Sequence, residues 1–368
     1  MGYHESTSVN SKDRPFSVRH QNIAVNNSFI PARGLANGHL QTILGNLRRR
    51  TFSILRTPSE PLEFLTEPDV RIRCLAHWQR GAAGTVILIH GLEGSAEGSY
   101  MLGTASKAWE AGFHVIRMNV RNCGDTEHLT PYLYHSGLTS DLRFVVEYLI
   151  KQGDRSPLVL IGFSMGGNQV LKLAGEWGDE APREIAGVCA VSPPIDLAAC
   201  SRSIARRRNW IYEYRFLRSL KRKMRRKEAL YPARYSTSNV NLVRSIWDFD
   251  ELTAPLNGFG SAQDYYSRAS AQAVLHRIRV PSLIIHARND PFIPFEPFEK
   301  IQALENPWIS LLATQSGGHV AFCGRRQEHE DRAWAENRCI EFARNVREQY
   351  ASSLKVADEP LLTSPDRF

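Results

Sequence analysis

The sequence predicts an α/β fold: a mostly parallel central sheet, helices on both of its faces, and a helical cap inserted late in the chain. Three observations carry that prediction. From residue 85 onward, continuous apolar runs of strand length alternate with helical patterns. The alternation breaks off between about residues 198 and 278 and then resumes. A glycine-rich turn, Gly162-Phe163-Ser164-Met165-Gly166-Gly167, joins one apolar run directly to a helical pattern. Runs that are apolar at every position, rather than at every second one, suit strands buried on both faces, as in a parallel sheet between two helical layers.

Taken in order, residues 1–28 form a polar segment without regular pattern, and residues 29–47 mix turn formers with a short helix-like apolar run. Residues 63–79 read as two short strands about the Pro68-Asp69 turn. Buried strands are expected at 85–90 (TVILIH), 114–120 (HVIRMNV), 157–163 (PLVLIGF), 185–192 (IAGVCAVS), 280–287 (VPSLIIHA) and 308–314 (WISLLAT). Helices are expected near 98–111, 137–152, 165–177 and 328–351. The whole reads as a single domain over 29–350, with a cap insertion at about 198–278 and a tail at 351–368. A chain of 368 residues can bury a sizeable core without disulfides or metals.

Composition excludes several classes. Hydrophobic residues make up 42% of the chain and charged residues 23%, which is ordinary for a globular protein and unlike a disordered one. The six cysteines, Cys74, Cys123, Cys189, Cys200, Cys323 and Cys339, include no C-x-x-C pair and no Cys/His cluster with zinc-ligand spacing. They read as inert thiols in a reducing compartment, and no metal site is expected from their spacing. No apolar run approaches the roughly 18–20 residues that span a bilayer, and the N-terminus has no apolar segment of the secretory kind. A cytoplasmic location, peripheral to a membrane at most, is the expectation. Gly2 and Ser6 fit the short M-G-x-x-x-[ST] pattern of N-myristoylation; a plain polar start fits as well.

The net charge of +8 is not spread over the chain. Residues 202–228 hold twelve Lys or Arg against Glu213 and Glu228, which leaves the remainder slightly acidic. One local basic segment without a recognition motif is not the footprint of a genome-binding protein, and no nucleic-acid partner is expected.

The turn at 162–167 has the form G-x-S-x-G. Strand before it and helix after it are the context in which such a turn is a nucleophile elbow. Ser164 would stand at the sheet's C-terminal edge in a strained backbone conformation, over a helix N-terminus that favours developing negative charge. A serine hydroxyl needs a base. His319, in Ser316-Gly317-Gly318-His319-Val320 just after the last expected strand, is the candidate. Asp290, in Arg288-Asn289-Asp290-Pro291 after the strand at 280–287, is the candidate acid that would hold the imidazole in one tautomer. Asp196, in SPPIDL after the strand at 185–192, is the alternative acid. The order Ser164, Asp290, His319 is that of the α/β-hydrolases and not that of chymotrypsin or subtilisin. His90-Gly91-Leu92-Glu93-Gly94 follows the first buried strand, where a loop would supply oxyanion donors; the backbone N–H groups of Leu92 and Met165 are the natural pair. His90 itself reads as a structural loop residue.

Six stretches, GHLQTILGNL, HGLEGS, LYHSGLTSDL, GFSMGGN, GFGSAQDYYSRAS and ARNDPFIP, together resemble the YheT-like α/β-hydrolases, whose eukaryotic relatives include lipid-acting abhydrolases. The resemblance runs from about residue 29 to 345. It implies the α/β-hydrolase fold and an esterase or acyl-lipid hydrolase activity, without fixing a substrate. Matched stretch by stretch, it implies Ser164 as nucleophile, Asp290 as acid, His319 as the histidine and His90–Gly94 as the oxyanion loop. Several eukaryotic relatives carry an N-terminal membrane helix. No such run is expected here, so the resemblance does not imply their membrane-embedded role.

Within the cap, Trp210, Tyr214, Leu217, Leu220 and Met224 recur at helical spacing. Arg215, Arg218, Arg222 and Arg225 fall on the other side, joined by Lys221, Lys223, Arg226 and Lys227. Segment 202–227 therefore reads as an amphipathic basic lid helix: either a solvated face, or a surface that settles on anionic lipid. The function expected is a serine hydrolase that cleaves carboxylic esters, acyl or lipid-like, through an acyl-enzyme, and that chemistry implies no metal or organic cofactor. The alternatives are a catalytically silent fold that binds a membrane or partner through its basic segment, and a serine-dependent acyltransferase. The intact Ser/Asp/His set favours an enzyme.

Overall fold

The computed structural model describes residues 25–26, 28–47, 50–153, 155–303 and 305–357; Gly2 and Ser6 lie outside them. Helix α1 (Gly38–Leu47) precedes a hairpin of β1 (Glu60–Glu67) and β2 (Val70–His77). Strands and helices then alternate: β3 (Thr85–Ile89), α2 (Ser99–Glu110), β4 (His114–Met118), α3 (Ser140–Gln152), β5 (Leu158–Phe163), α4 (Met165–Trp177) and β6 (Ile185–Val191). The cap follows as α5 (Leu197–Ile204), α6 (Trp210–Leu230), α7 (Ile246–Thr253) and α8 (Ala262–Ala269). The sheet resumes with β7 (Ser282–Ala287), α9 (Glu296–Ala303), β8 (Ile309–Thr314) and α10 (Trp334–Ala357).

The eight strands form one sheet in the order β1-β2-β4-β3-β5-β6-β7-β8. β1 and β2 pair antiparallel, as do β2 and β4, and every later neighbour is parallel. All residues of β3 to β7 are buried, which is why their sequences show no alternation. The two faces still sort by parity. Ile87, Ile89, Leu158 and Leu160 join the core beneath α3 and α4, whereas Val86, Leu88, Val159 and Ile161 join the core beneath α2 and α10. Each such side chain contributes roughly 1.5–3 kcal/mol by leaving water. The loops after β3, β5, β7 and β8 all leave the same C-terminal edge, beside the point where chain order reverses around β3; open parallel sheets carry their ligand crevices there.

The fold departs from expectation in small, explicable ways. His90, Asn119 and Ser192, which the apolar runs place inside strands, lie past the ends of β3, β4 and β6. Their side chains hold loops instead: His90 Nε2 accepts from Val120 N–H at 3.1 Å, Asn119 Oδ1 from Ala96 N–H at 2.8 Å, and Ser192 Oγ from Val320 N–H at 3.1 Å. Helix α9 has no counterpart among the expected helices. The boundary at 351 falls inside α10, which packs Val346 and Tyr350 on the core and continues to Ala357, since extending a formed helix costs little compared with nucleating one.

The largest correction concerns α6. Leu217, Leu220 and Met224 are buried as expected, but Trp210 and Tyr214 are 64% and 58% exposed. Tyr212, Lys223 and Lys227 take inward positions in their place. Lys223 Nζ pairs with Glu93 Oε1 at 2.8 Å and donates to the Asn122 carbonyl at 2.8 Å. Lys227 Nζ donates to Asn122 Oδ1 at 3.0 Å, to the Glu127 carbonyl at 3.2 Å and to the Thr130 carbonyl. An ammonium can be buried when oxygen ligands replace its water, and those ligands come from loops remote in sequence, so hydropathy spacing along α6 could not reveal them. Burial pushes Lys227 down to about 7 despite the attraction of Glu127.

Candidate active site

The apolar run of β5 ends in Phe163, and α4 begins at Met165, so Ser164 must reverse the chain alone. It does so at φ 52°, ψ −121°, a strained conformation for a side-chain-bearing residue. Its N–H donates to the Val191 carbonyl at 2.8 Å, which ties the elbow to β6. A Cβ at Gly162 would collide with the Gly166 carbonyl, and one at Gly166 would collide with the carbonyls of Ile89 and His90. The glycines thus allow β5, α4 and the end of β3 to meet.

The loop after β3 lies against this serine. A Cβ on Gly91 would sit 2.9 Å from Ser164 Cβ. His90 anchors the loop: with Nε2 accepting from Val120, its Nδ1 carries the proton and donates to the Gly91 carbonyl at 2.7 Å. Burial pushes His90 down to about 4, so it is neutral and positional. Gly91 N–H is occupied by the Tyr100 hydroxyl at 3.0 Å. Among the described residues Leu92 N–H has no acceptor. Met165 N–H opens α4 and has no intrahelical acceptor either. Both residues line the same cavity as Ser164, and their N–H groups are left without a partner among the described residues.

His319 Nε2 stands 3.0 Å from Ser164 Oγ, and its Nδ1 stands 2.8 Å from Asp290 Oδ2. Asp290 Oδ1 accepts from the N–H groups of Phe292 and Ile293 at 3.1 and 3.0 Å. Burial would raise this carboxyl, but the facing imidazole, its hydrogen bond and the Ile293 N–H hold it below the ordinary aspartate value. Asp196, the alternative acid, caps α5 by accepting from Ala199 N–H at 2.9 Å. The structure brings Ser164, His319 and Asp290 together and leaves Asp196 in a helix cap.

Several residues that hold this chain in place gave no signal of their role in the sequence. His319 N–H donates to Thr42 Oγ1 at 2.8 Å, and that hydroxyl donates to the Gly38 carbonyl at 2.7 Å. Gly318 N–H donates to Asn289 Oδ1 at 3.1 Å. Gln41 is fully buried, accepting from Cys323 N–H at 2.8 Å and donating to the Leu35 carbonyl at 2.7 Å. Helix α1 is thus the buttress of the histidine loop. That loop needs one: Val320 sits at φ 63° and Phe322 at φ 36°, uncommon for a branched or bulky residue. The Phe292 ring packs on His319 with centroids 4.1 Å apart.

Two cavities meet at Ser164. One is an apolar chamber of about 130 Å³ beneath the cap, walled by Leu133, Leu197, Leu220, Met224 and Phe249 among others. The second is a larger cleft of about 620 Å³ that reaches His319. Leu92, Ser164, Phe216 and Phe292 line both. Among the described residues no group of three or more His, Cys, Asp or Glu side chains is placed to hold a metal ion.

Residues 84–324 match the protein-family model described as alpha/beta hydrolase fold. Among curated proteins, the chain is similar to YheT of Escherichia coli, which carries an esterase designation, with 35% identity over 84% of this chain and 91% of that protein. It is 30% identical to the mouse phospholipase ABHD3, over 65% of this chain and 58% of that protein. It is 29% identical to the monoacylglycerol lipase of Saccharomyces cerevisiae, over 69% of this chain and 58% of that one. The chain thus spans little more than half the length of these last two. Among solved structures, the Pyrococcus furiosus esterase Pf2001 aligns with a TM-score of 0.53 at 17% identity, over 81% of this chain and 96% of that one. At that identity the likeness is one of fold alone.

Proposed function

This chain belongs to the α/β-hydrolase family, with esterases and lipases among its relatives, and we propose that it is a serine esterase working through an acyl-enzyme. The observation that carries the reading is the hydrogen-bonded line from Ser164 Oγ through His319 to Asp290, at 3.0 and 2.8 Å, beside two unoccupied N–H donors. Ser164 Oγ attacks the ester carbonyl as its proton passes to His319 Nε2. The N–H groups of Leu92 and Met165 receive the oxyanion. The carbon–oxygen bond to the alcohol then breaks, and His319 returns the proton to the departing oxygen. Water, deprotonated by the same imidazole, cleaves the acyl-enzyme. Asp290 holds the imidazole's tautomer and balances its charge in both halves.

The chamber sets an expectation for the acyl group. An apolar cavity of roughly 150 Å³ takes up a benzene ring, so a chamber of about 130 Å³ suits an acyl chain of about six carbons. The test is labelling by a fluorophosphonate probe together with turnover of p-nitrophenyl esters from acetate to palmitate. Wild type is expected to label and to turn over hexanoate-sized esters best, and Ser164→Ala to lose roughly 10⁴ or more in rate. A well-folded wild type that neither labels nor turns over any ester would sink the reading.

A second feature bears on where the enzyme works. Trp210, Ile211 and Tyr214 of α6 are exposed, as are Leu40, Ile43 and Leu44 of α1. His39 Nδ1 and Tyr212 OH, 3.2 Å apart, join the two helices. An apolar crest thus borders the cleft amid the arginines of segment 202–227, and peripheral contact with an anionic membrane follows from it, at about 1 kcal/mol per basic residue near the surface. No helix among the described residues is long and apolar enough to cross a membrane. Sedimentation with anionic but not neutral liposomes, lost at high salt, is the expected result; equal sedimentation with both would refute it.

A further inference from the structure

We propose that the larger cleft at Ser164 is a binding site for an anionic group, a phosphate or a carboxylate, on the alcohol half of the ester, with Arg215, Arg218 and Arg222 as its ligands. The inference rests on the esterase reading and adds a substrate class to it. The three arginines lie three and four residues apart on α6, on one face of the helix, and all three line the cleft that holds Ser164 and His319. Among the described residues none of them has a carboxylate or other acceptor as partner. Like charges at this spacing destabilise a helix slightly, and nothing among the described residues relieves them.

The cleft's own acid does not neutralise them. Glu93 is the one carboxylate among the lining residues. Its oxygens are already occupied by Lys223 at 2.8 Å, Tyr134 at 2.7 Å and Ser219 at 2.6 Å. The cleft wall formed by α6 is therefore positively charged, while the chamber that shares Ser164 with it is lined mainly by apolar side chains. Guanidinium groups clustered in a cleft suit multidentate oxyanions such as phosphate and carboxylate better than they suit neutral alcohols.

Which half of the ester enters which cavity follows from their linings. An acyl chain is apolar, so it belongs in the apolar chamber. The alcohol half then takes the cleft that the arginines line. The substrate is accordingly an ester with an apolar acyl chain and an anionic alcohol.

The experiment uses the full chain and water-soluble substrates, so that membrane attraction plays no part. Hexanoyl-glycerol, hexanoyl-glycerol phosphate and the hexanoyl ester of glycolate are compared by kcat/KM at low and high salt. One of the charged esters is expected to exceed the neutral one by at least about tenfold at low salt, less so at high salt; which one leads tells phosphate from carboxylate. Arg218→Gln and Arg222→Gln are expected to bring that ratio toward one, whereas Arg244→Gln, which removes an exposed charge outside the cleft, leaves it in place. Ser164-dependent turnover with no preference for either charged ester, or a preference that survives the cleft substitutions, overturns the assignment and spares the esterase. Failure to turn over any of the three by a protein that cleaves p-nitrophenyl esters overturns the assignment alone; failure on those esters as well overturns both.

Discussion

Strands β5 and β6 bury only apolar side chains and glycine, and the reactive groups beside them are placed by backbone: a strained Ser164, two N–H donors, a loop end. The cap across the pocket is built differently. Its long helix turns Lys223 and Lys227 inward and is fastened to the loops after β3 and β4 by charge. A scaffold placed by backbone keeps its stability when a side-chain charge changes but not when its turn geometry does. A roof held by a buried ion pair has the opposite sensitivity, because removing one partner strands the other.

That contrast can be broken from the scaffold side first. Asp290→Asn is expected to lower kcat by roughly 10⁴, since the amide would favour the wrong imidazole tautomer, while the melting temperature stays near wild type. From the cap side, Glu93→Gln leaves Lys223 buried without its carboxylate, a loss of about 3–5 kcal/mol in chemical denaturation. Adding Lys223→Met to it is expected to restore most of that stability; a double variant no more stable than the single one would refute the pairing argument. Thr42→Val removes the acceptor of the His319 N–H, a buried donor worth about 1–3 kcal/mol, and is expected to reduce kcat about tenfold with KM little changed.

The smallest effect sharpens the picture of the cap's interior. Asp250 lines the apolar chamber and accepts from Tyr266 at 2.6 Å, and burial pushes it up to about 7. The folded protein therefore keeps this proton up to about pH 7, whereas the unfolded chain releases it near its ordinary value of 3.8. More protons bound in the folded state means that stability falls as pH rises from about 4 to 7. Asp250→Asn removes that slope, so its melting temperature should gain on wild type by about 5 °C across the window.

Much of the sheet side is legible in the chain itself. The apolar runs place six strands to within two residues, because a doubly buried strand has to be apolar throughout. The G-x-S-x-G turn is equally plain, because a reversal that tight admits only certain residues at fixed offsets. The cap is less legible. Spacing along α6 identifies Leu217, Leu220 and Met224 but places Trp210 and Tyr214 inward and both lysines outward. Hydropathy records what a side chain prefers alone, and Lys223 and Lys227 are buried by partners it cannot see.

The architecture, the elbow and the order Ser164, Asp290, His319 were all written in the linear chain, since each depends on residues near one another or on their sequence alone. Packing of the layers, and nothing in the linear chain, decided that α1 supports the histidine loop. It also decided that three arginines share a cleft with the serine. The Thr42–His319 contact spans 277 residues. A contact of that range is set by how the layers pack, and it leaves no periodicity in the chain to be read.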